Sequence, residues 1–332
     1  MKAMRKLFVT ISLTILLLIV PICVAAVNSS AEPDYSGEDV MQISNYDAVT
    51  KTTTTETVTV SELKARNVEL MNQRGLTEKD VMCGKNPMAD SSVSIGGEDV
   101  APQSLIGIYQ QTRVNVNQYP YSAVLLLWVS FDLNNDGAAD VWGTGSGYMV
   151  GSKVMVTAGH NFFFKDLNGA IYPILECRIY PKHASTTISG VRDDYYHPKS
   201  WTYSTVFANS YNVEHDWLVA TLFSALGDDH GFLSVRNPDA SLSNVTATVL
   251  GYPAETTSKM YYQYKSIGPL DSYTTKRLFY RMDTEKGNSG GPIIILGHQV
   301  VGIHTRGTSS GNSGTRIFEG LYTIINNRNL QA

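Results

Sequence analysis

Cysteine is scarce in this sequence. Its 332 residues contain three, Cys23, Cys83 and Cys177. The first falls in an N-terminal leader and the second in a polar stretch ahead of the main domain, which leaves Cys177 alone in the remainder. A disulfide framework is therefore excluded, and the fold must be held by its apolar core. Net charge is nearly absent too: 26 Lys and Arg stand against 30 Asp and Glu, a formal −4. From Ser94 onward the count is 17 basic and 19 acidic, about −2. Such a balance supplies no field for a nucleic-acid or anionic-membrane partner. No internal repeat is evident. With 43% hydrophobic residues, 27 Gly and 12 Pro, the composition is that of a globular protein rather than a disordered one.

Long apolar runs are absent except near the N-terminus. Lys2, Arg5 and Lys6 precede an apolar run over 7–20, and Val24-Ala25-Ala26 supplies small residues for cleavage. This pattern predicts a signal peptide over 1–26, cut after Ala26. The run is short for a membrane span, so the exported chain is expected to keep no stable membrane association. Ile22 before Cys23 argues against lipid attachment there. Residues 27–91 are read as a propeptide. Within them the Thr-rich tract 50–59 reads as extended or disordered, and 61–71 as a helix capped by Ser61 with Leu63, Val68 and Met71 as its apolar positions. The alternative, a small accessory domain, has few apolar residues to stabilise it.

Helical periodicity is rare after residue 92, and short β-like runs replace it. They cover 122–131, 142–150, 154–156, 171–180, 217–222, 245–250, 278–282, 293–296 and 300–304, with turn signals between them. The tail 317–328 is the one predicted helix. This spacing predicts an all-β barrel protein.

Three motifs carry chemistry. Gly287-Asn288-Ser289-Gly290-Gly291-Pro292 sets a serine between glycines on a loop entering an apolar strand. A hydroxyl so placed suits a nucleophile, and the N–H groups of Gly287 and Ser289 could converge on an oxyanion. Alone, the motif would be read as a glycine-rich turn. Upstream stand Thr157-Ala158-Gly159-His160 and His215-Asp216-Trp217-Leu218. Imidazole titrates near neutrality, so His160 can take and return a proton, and Asp216 can fix its tautomer. His215 is the rival to Asp216, while Asp193, Asp194, Asp228 and Asp229 lie in polar clusters that read as solvated loops.

In this order the motifs resemble serine peptidases of the chymotrypsin-like double β-barrel fold. More narrowly, from about Ser92 to the C-terminus, with Tyr119-Pro120-Tyr121, Gly251-Tyr252-Pro253 and Gly302-Ile303-His304, the chain resembles the glutamyl endopeptidases secreted by Gram-positive bacteria. The resemblance implies a peptidase domain over 92–332, with barrels over roughly 92–215 and 216–315 and a C-terminal helix. It implies a secreted, monomeric serine endopeptidase that acts on protein or peptide substrates and is accompanied at first by its own propeptide. His160, Asp216 and Ser289 are the implied triad, and Gly287 and Ser289 the oxyanion donors. Thr284 and His304 are the implied contacts to a substrate glutamate, a third being a new α-amino group within 91–95. Arg306 stands at the rim of that pocket or points to solvent. Some relatives carry a cystine beside the histidine; the matching positions here are Gly145 and Asn161. Asn288 replaces the Asp that trypsin-like zymogens pair with a new N-terminus, so activation has to proceed differently.

No cofactor is expected. Asp132, Asn134, Asp136 and Asp140 place oxygen ligands at alternate positions like the start of an EF-hand loop, which admits Ca²⁺. Gly143 stands where the closing Glu should be, and Asn135-Asp136-Gly137 also makes a tight hairpin turn, the preferred reading. Two other functions stay open, a peptidase of the same fold with different specificity and a silent binding protein on this scaffold. The intact triad weighs against the second, and Thr284 with His304 against the first.

Overall fold

The computed structural model describes residues 40–77, 80–81, 84–85, 110–185, 194–236, 238, 241–242, 245–308 and 311–332, all within one compact unit. The leader 1–26, Cys23, Cys83, Asp193, the start of the peptidase domain and the cut expected within 91–95 lie outside the described residues. No helix among those described is long and apolar enough to cross a membrane.

Two β-barrels make up the body. In the first, β9 (Pro198–Ser204), β10 (Leu218–Leu222), β6 (Val154–Thr157), β5 (Val141–Met149), β4 (Val124–Phe131) and β8 (Ile171–Pro181) pair in that order. A bridge from Ile179 to Tyr196, just before β9, closes the ring, and β7 (Phe163–Lys165) pairs with β8. In the second, β16 (Gln299–Thr308), β15 (Pro292–Ile295), β12 (Thr246–Gly251), β13 (Tyr264–Tyr273), β14 (Arg277–Tyr280) and β17 (Gly311–Arg316) pair in sequence, and β16–β17 pairing closes the ring. Two short strands, β3 (Thr112–Arg113) and β11 (Ser234–Val235), add to β13 and β16. Asp216 therefore precedes a strand of the first barrel, and β10 does not open the second. The division falls after β10 rather than at residue 215.

The unbroken apolar runs follow from burial on both faces. Along β4, Leu125, Leu127, Val129 and Phe131 fill the first barrel, whereas Val124 and Leu126 join the core between the barrels. In β15, Ile293 and Ile295 fill the second barrel and Ile294 faces the shared core. Period-two alternation has no polar face to report here. The C-terminal helix, α4 (Glu319–Gln331), packs Leu321, Ile324 and Ile325 onto the shared core. Two shorter helices, α2 (Thr205–Ser210) and α3 (Leu226–His230), lie in connections.

The segment ahead of the barrels is more ordered than its polar sequence predicts. It forms β1 (Val40–Asp47), β2 (Thr52–Thr59) and α1 (Val60–Arg74). Thr59, not Ser61, caps the helix: its Oγ1 accepts the Glu62 N–H at 3.1 Å, and its own N–H donates to Glu62 Oε2 at 2.8 Å. Its own apolar residues make too small a core, so Met41, Ile43, Val58, Val60 and Leu63 are buried against α4 in the shared one.

Candidate active site

Strand register brings the first pair together. β10 runs antiparallel to β6 with Leu218 opposite Thr157, so the residues just before β10 lie beside those just after β6. His160 sits in a 3₁₀ turn over Gly159–Asn161, and Asp216 closes another over Val213–His215. The Asp216 side chain is fully buried. His160 Nδ1 donates to its Oδ2 at 2.8 Å, and the His160 backbone N–H donates to its Oδ1 at 3.0 Å. A carboxylate only accepts, so the ring proton resides on Nδ1 and Nε2 is left as a base. Thr315 Oγ1 donates to the Asp216 carbonyl at 2.9 Å, which ties this loop to the second barrel. His215 is half-buried outside the pair; burial, then Lys276, bias its imidazole toward the neutral form. Asp194, Asp228 and Asp229 are exposed, but Asp228 and Asp229 lie in α3 rather than in a loop.

Ser289 lies in the turn entering β15. Gly287 there has φ 97°, and a Cβ would stand 2.4 Å from the Tyr252 carbonyl, so the turn admits glycine alone at that position. The neighbouring amides are engaged: Asn288 N–H donates to Glu285 O at 3.1 Å and Gly290 N–H to His304 O at 2.8 Å. None of the described backbone bonds uses the N–H of Gly287 or Ser289. Two unspent donors beside a hydroxyl are what a developing oxyanion needs. No described hydrogen bond joins Ser289 Oγ to His160 Nε2, an open geometry common before substrate binds. Asn288 is buried and is an amide, so the acid of trypsin-like zymogens is missing from the fold as well as from the sequence.

A latch between the barrels, which the motifs did not reveal, holds this turn. The Ser146 N–H donates to Ser289 O at 2.7 Å, Ser146 Oγ to Gly287 O at 2.8 Å, and the Tyr252 N–H to Ser146 Oγ at 2.9 Å. Asn161 Nδ2 donates to Ser289 O and to Thr157 Oγ1, each at 2.9 Å. The Asn161 side chain stands directly over Gly145: a Cβ built there would lie 2.5 Å from its Oδ1. A hydrogen-bonded amide thus occupies the place where the resemblance led one to look for a cystine. The only available signal was the small-residue run Gly145-Ser146-Gly147.

One pocket candidate lies on β16 and the other beside it. His304, on that strand, is 2% exposed, and its N–H donates to Gly291 O at 2.8 Å. Thr284 lies in the loop before the serine turn, its Oγ1 3.6 Å from where a Cβ of Gly307 would stand. His304 Nδ1 is 2.5 Å from the hydroxyl of Tyr280 on β14. Burial pushes that phenol far above its usual range, so it keeps its proton, and Nδ1 is its described acceptor. The imidazole proton then belongs to Nε2, which is left as a donor. Burial, followed by the charges of His160 and Arg277, lowers the His304 pKa to about 3, so the ring is neutral. Arg306 is exposed. Arg277 is the unexpected cation here. It is 5% exposed, and its guanidinium donates to Val213 O at 2.7 Å, to Thr305 Oγ1 at 3.2 Å and to Ser313 Oγ. Among the described residues no carboxylate pairs with it.

Asp132, Asn134, Asp136 and Asp140 come together, but on backbone amides. Asp132 Oδ2 accepts Gly137 N–H and Asp140 Oδ2 accepts Leu133 N–H, both at 2.7 Å, and Asp136 Oδ1 accepts Ala138 N–H at 2.8 Å. That is a self-satisfied hairpin loop. No group of three His, Cys, Asp or Glu placed to hold a metal occurs among the described residues. Cys177 is buried in the first barrel, where burial raises its thiol pKa and leaves it unreactive.

Comparison with known proteins bears on this constellation. Residues 141–329, more than half of the chain, match the family model described as Trypsin. A glutamyl endopeptidase of Bacillus licheniformis is 28% identical over 250 residues, covering 68% of this chain and 69% of that protein. A Bacillus subtilis protein called extracellular metalloprotease is 26% identical over 246 residues, covering 69% of this chain and 70% of that one. Among solved structures, a Glu endopeptidase in complex with MPD superposes with a TM-score of 0.54 at 22% identity, over 68% of this chain and 98% of that one.

Proposed function

The chain belongs to the trypsin family and is a serine protease of the chymotrypsin-like fold, and from that premise we propose that it is a secreted endopeptidase cutting after glutamate, with His160, Asp216 and Ser289 as its triad. The observation that carries the triad is the 2.8 Å bond from His160 Nδ1 to a fully buried Asp216 carboxylate, beside a serine turn with two unspent amides. Ser289 Oγ attacks the substrate carbonyl while His160 Nε2 takes its proton. The N–H groups of Gly287 and Ser289 receive the oxyanion. His160 then returns the proton to the leaving amine, and the acyl-enzyme forms; water reverses these roles and releases the acid. Asp216 orients the ring and stabilises the imidazolium without itself gaining the proton.

Thr284 and His304 are the proposed glutamate contacts. A neutral imidazole with Nε2–H and a threonine hydroxyl donate to a carboxylate while leaving no unpaired charge in the empty pocket. The glutamyl endopeptidase among its relatives supports the same reading. The chain's segments are assigned as a signal peptide over 1–26, a propeptide over 27–91 and a monomeric peptidase over 92–332, acting outside the cell on protein or peptide substrates without a cofactor.

Ser289→Ala tests the assignment. The folded variant should lose several orders of magnitude in kcat/KM while melting with the wild type, because only one hydroxyl is removed. A folded variant that hydrolyses at the wild-type rate would overturn the triad.

A further inference from the structure

We propose that residues 40–85 are a lasting structural part of the working enzyme, held by their own contacts after the link to the peptidase body is cut. The natural cut belongs to the propeptide reading above; the retention rests on the contacts alone.

The segment is built into the first barrel. β1 lies between β2 and β9, with Ile43 opposite Ser204 through Asp47 opposite Ser200. Side chains repeat the pairing. Ser44 Oγ and Thr205 Oγ1 are 2.8 Å apart, Thr202 Oγ1 donates to Asn45 Oδ1 at 2.5 Å, and Tyr46 stacks on Trp201 with ring centres 4.4 Å apart. Helix α1 docks on α4. Asn67, 6% exposed, is satisfied across that interface: its Nδ2 donates to Thr323 O at 2.9 Å and its Oδ1 accepts from Asn327 Nδ2 at 2.8 Å. Lys64 pairs with Glu319 at 2.5 Å. Farther on, Lys85 exchanges backbone bonds with Phe232 at 2.9 and 3.1 Å.

Losing this segment would leave three defects at once. The β9 edge over 200–204 would present unpaired amides and carbonyls, an invitation to association. The α4 face under Met41, Ile43, Val60 and Leu63 would meet water. The strand pair would also stop supporting the ledge beneath the histidine, because Thr205 opens α2, whose buried Phe207 lies against Gly159. A plug that must leave before catalysis would sit on the site instead. None of the described hydrogen bonds or ion pairs of residues 40–85 reaches His160, Asp216, Thr284, Ser289 or His304.

The experiment separates retention from natural maturation. A site for a sequence-specific protease is inserted between Pro87 and Met88 of the full chain carrying Ser289→Ala, so that no self-cleavage intervenes. After the cut, native size-exclusion chromatography at micromolar protein should show the N-terminal fragment eluting with the body, at an unchanged melting temperature. Enzyme that has matured naturally should still carry the fragment on native chromatography, and stripping the fragment in denaturant before refolding should lower its kcat/KM roughly tenfold or more. Leu63→Asp should release the fragment after cutting; if that chain fails to fold, the wild-type fragment decides alone. A fragment that elutes separately, leaving a body of unchanged melting temperature and activity, overturns the proposal. An active enzyme isolated uncut from residue 27 would instead refute the propeptide reading and leave retention to the engineered cut.

Discussion

Asn161 Nδ2 donates to the carbonyl of Ser289 at 2.9 Å, and so a residue adjoining His160 in the first barrel holds the serine turn of the second. The same amide reaches Thr157 Oγ1 at 2.9 Å. Removing it takes one donor from each acceptor, although Ser289 O keeps the Ser146 N–H, and each bond lost costs about 0.5–1.5 kcal/mol. Asn161→Ala should therefore melt lower and lose roughly ten- to a hundred-fold in kcat, with KM within about twofold, since the substrate pocket is untouched. Steady-state kinetics beside a melting curve check this. Wild-type kcat in the variant would mean that the turn is held without the latch.

Tyr280 sets the state of His304. Without the phenol proton on Nδ1, the imidazole is free to carry its own proton there and present an acceptor to the substrate. Tyr280→Phe keeps the ring volume and should lower the ratio of kcat/KM for Glu over Gln substrates roughly tenfold, with a Phe substrate little changed. An unchanged ratio would show that the tautomer is fixed by another group.

Arg277 is a fixed charge behind the pocket. It binds the carbonyl of Val213, on the turn that carries Asp216, and the hydroxyls of Thr305 and Ser313, on the strands beside His304. Arg277→Met should lower kcat/KM for Glu substrates more than for uncharged ones, because it removes a positive charge as well as three bonds. Equal losses across substrates would reduce Arg277 to a purely structural role.

Acid should weaken the fold through His304. The buried imidazole has a pKa of about 3 against an ordinary value of 6.5. Between these values the unfolded chain takes up a proton that the folded chain refuses, so stability present above about pH 6.5 is lost progressively as pH falls toward 3. His304→Gln should flatten that part of the melting-temperature profile. Parallel profiles for the two proteins between pH 7 and 4 would contradict the assignment.

The sequence disclosed the site and the barrel class more readily than the supports. Continuous apolar runs such as 124–129 and the three short motifs were legible, because a doubly buried strand and a nucleophile turn leave few residue choices. β9, β13 and β17 were not. β9 is rich in polar residues, β13 carries Gly268 and Pro269, and β17 reads Gly311-Asn312-Ser313-Gly314-Thr315-Arg316. Their place comes from pairing and close approach rather than from alternation. Tyr280, Arg277, Ser146 and the latch role of Asn161 were hidden for a related reason: their partners lie far away in sequence and meet only once both barrels close. Near the N-terminus the Thr-rich tract 50–59 was legible as an extended segment and forms β2, but β1 was not, because its few apolar residues borrow a core from α4.

Cleavage preference tests the central claim most directly. The measurement is kcat/KM of the mature enzyme on matched peptides differing only in Glu, Asp, Gln, Phe or Lys before the scissile bond. Two neutral donors at fixed depth should favour Glu, with Asp, a methylene shorter, and Gln each roughly ten- to a hundred-fold poorer, and Lys and Phe poorer still. His304→Ala should lower the Glu value far more than the Phe value. Comparable cleavage after Phe or Lys and after Glu would contradict the glutamyl reading and leave a serine protease of another specificity.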